Sequence, residues 1–236
     1  MRATLILTMF AASLAYADWG DFEEVRHLEL DAQNISGIEV ESRAGSLEVT
    51  GVSGSDKILV TAIIRVPTMN EEKANEVIAK DMILTLEKKG EKAILRGYFD
   101  EGNLSWGDSP HVRLEVSVPD QFALKIEDSS GSIVVSDVAG NIDIDDSSGS
   151  IQMDEVGGSI DITDSSGSIA VAGVGDDISI EDGSGSIKVR DVAGSVTIND
   201  GSGSISVKNV EKDLIILSDG SGSVNYANVQ GTVEKD

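Results

Sequence analysis

The sequence predicts an all-β fold: a two-sided, single-stranded parallel β-solenoid (β-helix) with 18-residue coils and one short helix in an N-terminal insertion. Three observations predict it. Gly131, Gly149, Gly167, Gly185 and Gly203 recur every 18 residues, and Gly222 follows at 19. Each period splits into two halves of nine, such as GSIVVSDVA from Gly131 and GNIDIDDSS from Gly140. In each half the third and fifth positions are apolar (Ile133 and Val135, Ile142 and Ile144, Ile160 and Ile162, Ile187 and Val189), with mostly polar residues between them. Alternation of this kind marks a strand with one buried face, and a fixed period of short strands marks a stacked repeat.

The halves differ at their eighth position. One carries Val138, Val156, Val174, Val192, Val210 and Val229, and the other Ser129, Ser147, Ser165, Gly183, Gly201 and Gly220. Each coil therefore has one apolar and one polar corner. A single coil cannot bury its own apolar face, but about six stacked coils can, over roughly 30 Å at ~4.8 Å per coil.

Taken from the N-terminus, residues 1–17 read as a secretory signal. Arg2 is a short basic start, an apolar run follows, and Ala15-Tyr16-Ala17 gives an A-x-A cleavage site ahead of Asp18. The apolar run is short for a membrane span, and no second one of about 20 residues follows. Residues 18–119 read as a β-rich part with solenoid-like coils. GIEVESRA from Gly37, GSLEVTGVS from Gly45 and GSDKILV from Gly54 share the repeat frame, with Ile38, Val40, Leu47, Val49 and Val52 at apolar positions. Thr68 and Glu71 fit a capping box. Ala74, Val77, Ile78 and Met82 then recur at helical spacing, which predicts a helix near 70–80 that covers a sheet face or an open end. MILTLEKK, KAILRGYF and VRLEVSV read as longer strands. Asp100 to Pro110, with Trp106, reads as a surface loop. Residues 120–236 form the regular solenoid of about six coils.

Composition excludes several functions. The formal net charge is -24 and the pI near 4.2, so no nucleic-acid partner is expected. Cysteine is absent, which removes disulfides, zinc-thiolate sites and thiol nucleophiles. Aromatic residues are 4% of the chain, too few for a thick globular core.

The motif DSSGSI or DGSGSI/V recurs at Asp128, Asp146, Asp164, Asp182, Asp200 and Asp219. A catalytic serine would stand out as one exception, whereas six copies in register read as architecture. No histidine lies between Asp128 and Asp236 to serve as a base. We expect no catalytic residue, no bound cofactor and no enzyme activity. Stacked in register, these carboxylates would lie about 5 Å apart and repel by about 1 kcal/mol in water, or about 3 near a protein surface. Backbone N–H capping in Asx-turns offsets this in the simpler reading. Calcium, as in repeats-in-toxin β-rolls, is the alternative, but no GGxGxD turn is present.

The segment VSVPDQFALKI (Val116 to Ile126), followed by repeated Gly-Ser-Ile-x-Val turns, resembles the bacterial β-strand-repeat family of unknown function described as putative adhesins. That resemblance covers most of residues 18–236. It implies an exported, envelope-associated solenoid and brings no catalytic residues to transfer. The expected function is a non-enzymatic structural or interaction module of the periplasm or cell surface, binding an envelope component or a cationic peptide or protein through its acidic face. A calcium-dependent or carbohydrate-binding surface protein is the alternative. A polysaccharide-active β-helix enzyme comes third, since the uninterrupted repeats from Gly131 to Gly203 leave no cleft wall.

Overall fold

The computed structural model describes residues 21–100 and 109–236, which hold twenty strands and one helix. The signal segment 1–17 and Trp106 lie outside the described residues. The N-terminal part contains β1 (Phe22–Asp31), β2 (Gly37–Ser42), β3 (Ala44–Val52), β4 (Lys57–Val66), α1 (Glu71–Asp81), β5 (Met82–Lys89), β6 (Lys92–Phe99) and β7 (His111–Pro119). The solenoid proper then alternates between two faces. One face receives β9 (Ser130–Val138), β11 (Gly149–Val156), β13 (Gly167–Val174), β15 (Gly185–Val192), β17 (Ser202–Val210) and β19 (Ser221–Val229). The other receives β8 (Ala123–Asp128), β10 (Ile142–Asp146), β12 (Ile160–Asp164), β14 (Ile178–Asp182), β16 (Val196–Asp200), β18 (Leu214–Ser218) and β20 (Val233–Lys235). Two ten-stranded sheets result.

The 18-residue period fixes the register. Ile133 pairs with Ile151, Ile151 with Ile169, Ile142 with Ile160 and Ile160 with Ile178, all between parallel strands. Identical residues therefore stack on one another, and the third and fifth positions from Ile133 to Ile216 fill a narrow core. Each such Ile or Val removed from water contributes about 1.5–3 kcal/mol.

Glycine sets the spacing at one corner. Gly149, Gly167, Gly185 and Gly203 have φ of +139° to +151°, and a Cβ on any of them would fall 1.6–1.7 Å from the carbonyl oxygen of the equivalent glycine one coil earlier. Only glycine permits both that backbone and that approach.

The N-terminal part departs from a simple run of coils. β2 and β3 form a coil against β8 and β9, as the frame predicts. The later β6 and β7 then stack on the outer side of that coil, so chain order and stacking order differ. The segment from Gly54 is not a coil. Its strand β4 lies antiparallel to β1 and β7, and β5 lies antiparallel to β6. α1 joins β4 in one sheet to β5 in the other and buries Ala74 and Ile78 in the shared core. Its N-cap is Asn70, whose Oδ1 accepts from the Lys73 N–H at 2.9 Å. Thr68 sits two residues further back and accepts from the Asn70 N–H at 3.2 Å, so it does not head a capping box.

Candidate functional site

The two corners of the coil carry the chemistry. At the first, strand alternation continues one step past the core: Ile142, Ile144 and Asp146 share the inward face, as do Ile160, Ile162 and Asp164. The aspartates of the ladder are therefore buried. Asp128 is 7% exposed, Asp146 1%, Asp164 3%, Asp182 5% and Asp200 0%. This corrects the expectation that they form an acidic surface for partners. The i, i+2, i+4 spacing was the available signal, and the charge of the residue masked it.

Each buried carboxylate is half satisfied. Oδ1 of Asp146, Asp164, Asp182 and Asp200 accepts from the backbone N–H two residues on, at Ser148, Ser166, Ser184 and Ser202, over 2.9–3.2 Å. This is the Asx-turn cap expected from the sequence. Asp128 Oδ1 accepts instead from the Ser42 hydroxyl at 2.8 Å. Oδ2 of all five has no hydrogen-bond partner. Burial pushes the carboxyls up: Asp128 and Asp182 to about 6, and Asp146 to about 7, where the like charge of Asp128 adds to burial. Burial also raises Asp164 and Asp200.

Asp219 differs from the other five. One extra residue, Leu217, lies between Ile216 and Ser218, and the register against β16 shifts there. Leu217 is exposed, and Asp219 pairs with Lys235 at 2.8 Å with about a fifth of its side chain accessible.

The second corner was read only as apolar. Its shape comes from the residue before the valine. Asp137, Glu155, Asp191, Asn209 and Asn228 have φ of +55° to +60°, and Gly173 occupies the same rung at +67°. This left-handed residue drops out of the ladder, since Asp154 pairs with Ala172 and Val156 with Val174 while Glu155 is skipped. It thereby inverts the alternation and turns the following valine inward, where Val138, Val156, Val174, Val192 and Val210 are all buried. β3 has no left-handed residue there, so Val52 points outward and is 40% exposed, contrary to its assignment as a core position. The run of Asp, Glu, Gly, Asp, Asn and Asn at the seventh position, mostly residues that tolerate this backbone, was the overlooked signal.

These rungs border a shallow groove of about 1030 Å³ along the corner. Its floor is small, with Ala139, Gly157, Gly175 and Ala193, and its carboxylates are Asp120, Asp137, Glu155, Asp191 and Glu211. No lysine or arginine lines it among the described residues. At the C-terminal end the rungs bond to one another: Asn209 donates to Asp191 at 2.7 Å and Asn228 to Asn209 at 2.8 Å. Arg190 reaches Asp191 from the neighbouring face at 2.8 Å.

Among the described residues, no group of three His, Asp or Glu side chains could hold a metal ion. His27 lies on β1 against Thr61 and His111 on β7, both far in sequence from the serine turns. No helix among the described residues is long and apolar enough to cross a membrane.

No family model and no curated protein matches the chain. Solved structures do. A putative cell adhesion protein from Clostridium sporogenes ATCC 15579 aligns over 92% of this chain and 100% of its own, at 11% identity and a TM-score of 0.36. Putative adhesins from Bacteroides fragilis NCTC 9343 and Parabacteroides distasonis ATCC 8503 each align over 90% of this chain and 97% of theirs, at 11% and 14% identity and TM-scores of 0.44 and 0.39. These three structures are described as putative adhesion proteins, at identities and scores too low to transfer a function.

Proposed function

We propose that this protein is a non-enzymatic interaction module of the bacterial envelope, exported by its N-terminal signal, which takes cationic partners along the groove of its left-handed corner. The observation that carries this reading is the groove itself: five carboxylates, of which Asp191 alone among the described residues is met by a base, Arg190, over a floor of alanine and glycine that lets an extended chain lie close. The solenoid supplies rigidity, because every rung is fixed by parallel pairing to the next. Partners of matching chemistry are basic peptide segments or polyamines, drawn by a negative potential that salt weakens. The buried aspartate ladder takes no part in this contact.

The test is fluorescence anisotropy with a labelled oligolysine peptide. The groove variant Asp137→Asn, Glu155→Gln, Asp191→Asn, Glu211→Gln should bind at least tenfold more weakly than wild type. An equal charge removal from the opposite sheet, at Asp143, Asp145, Asp161 and Glu181, should cost much less. Equal loss in both variants would reduce the effect to net charge, and no binding by wild type at low salt would end the proposal. Export has its own check, since the intact mass of protein from the producing cell should match a chain starting at Asp18.

A further inference from the structure

We propose that the buried file Asp128, Asp146, Asp164, Asp182 and Asp200 is a proton store: its carboxyls are held in the folded solenoid as neutral acids, and the stack of coils loosens as they lose those protons. The inference is independent of the groove.

The geometry carries it. The five side chains stack on in-register parallel strands, Asp146 over Asp128 and under Asp164, and onward to Asp200. Successive rungs lie at the ~4.8 Å strand spacing. Every Oδ1 already has its donor, and every Oδ2 is buried with none. A row of ionised oxygens with neither water nor cation would be strongly unfavourable. A proton on Oδ2 removes that charge and so the larger part of the burial penalty.

The groups that face the file offer no other remedy. From β2 comes the Ser42 hydroxyl, and from each turn come the backbone N–H groups of the serines. From the coils above and below come only further aspartates. Among the described residues, the charged groups that act on these carboxyls are aspartates, Asp219 acting on Asp200. The cation at the end of the file, Lys235, belongs to Asp219.

The sign of the pH dependence follows. These carboxyls hold their protons in the folded state to higher pH than in the unfolded chain, so folding takes up protons. Their contribution is fully present on the acid side of the ordinary carboxylate range and is lost as pH rises through about 6 to 7. Asp146 and Asp182 also feel the charges of the rungs on either side, which spreads the loss of protons over a range of pH.

Urea unfolding from about pH 5 to pH 8 tests the proposal, with the folding equilibrium constant of wild type falling about tenfold or more per pH unit over the lower part of that range and levelling off above about pH 7. The triple variant Asp146→Asn, Asp164→Asn, Asp182→Asn has a donor and an acceptor on each rung at any pH, and should lose at least half of that slope. The surface variant Asp143→Asn, Asp145→Asn, Asp161→Asn removes as many charges and should keep it. A flat or rising wild-type profile, or equal slopes in wild type and the triple variant, overturns the proposal. Should the triple variant fail to fold, infrared spectroscopy of wild type decides. At about pH 5.5, where ordinary carboxylates are ionised, a protonated-carboxyl band should be present, and its absence overturns the store. Recovery of stability at pH 8 on adding calcium, with no such band at lower pH, would make the file a cation site instead.

Discussion

Ser42 and Asp128, 86 residues apart in the chain, meet inside the solenoid, where the serine hydroxyl donates to Asp128 Oδ1 at 2.8 Å. β2 pairs with β8 through Glu41 and Glu127, so Ser42 takes the rung that every later coil gives to aspartate. One rung further out stands Gly97, which has no side chain to offer. The aspartate file is thus ended by a neutral hydroxyl on one side and by Lys235 on the other.

Ser42→Ala removes the one side-chain donor to the file among the described residues. It should cost about 1–3 kcal/mol, because a buried acceptor loses its partner. The same bond holds the Asp128 carboxyl down against burial, so the variant should titrate Asp128 at higher pH than wild type. Carbon-detected NMR of the aspartate carboxyls reads both states. An unchanged Asp128 titration would show that the bond is weak in solution.

Ile160 and Asp161 are neighbours on β12 with opposite surroundings, the first 2% exposed and the second on the outer face. Ile160→Asp puts an unpaired charge into a core one side chain deep and should lower stability by more than about 3 kcal/mol, or abolish folding. Asp161→Lys should change it by less than about 0.5 kcal/mol. Chemical denaturation of both variants settles the register.

Gly167→Ala should be among the most damaging single-methyl additions in the chain. Its Cβ would lie 1.7 Å from the Gly149 carbonyl oxygen, backbone against backbone, so the coils must part. Loss of more than about 3 kcal/mol is expected. Gly54→Ala is the control. It shares a positive φ of +71° but faces open space, and should lose only about 1 kcal/mol from the backbone conformation.

Glu155 is the one left-handed rung held by a long side chain with no special tolerance for that backbone. Glu155→Gly, matching Gly173 in the next coil, should raise the thermal midpoint and add up to about 1 kcal/mol. A lower midpoint would mean that the Glu155 side chain makes contacts worth more than the strain it carries.

The coil architecture was legible because its code is local and redundant: glycine every 18 residues, with Ile and Val at alternate positions, repeated until no other fold could bury them. The N-terminal topology was not, because Ile58 and Val60 alternate in the same way whether β4 runs parallel or antiparallel. Nothing near Lys92 states that β6 will stack outside a coil made fifty residues earlier. The aspartate corner was misjudged on residue type, since charge argued for solvent while the two-residue step from Ile144 to Asp146 argued for the interior, and the step prevailed. The groove was missed because its shape depends on φ at Asp137 and Asp191, which the Asp-Gly-Asn alphabet of that position encodes only when all six rungs are compared.

The extra Leu217 shows how such a chain can change over time. The bulge it forms is expelled outward between Ile216 and Ser218, and by Ser202 and Ser221 the pairing is back in step, with Gly222 over Gly203. An insertion at the end of a strand is therefore absorbed within half a turn and does not propagate. A duplication of eighteen residues would meet identical neighbours above and below and lengthen the rod without redesign, whereas an insertion at the glycine corner would find no room. Growth by whole coils, with tolerance for stray residues at the strand ends, is the mode of variation this packing allows.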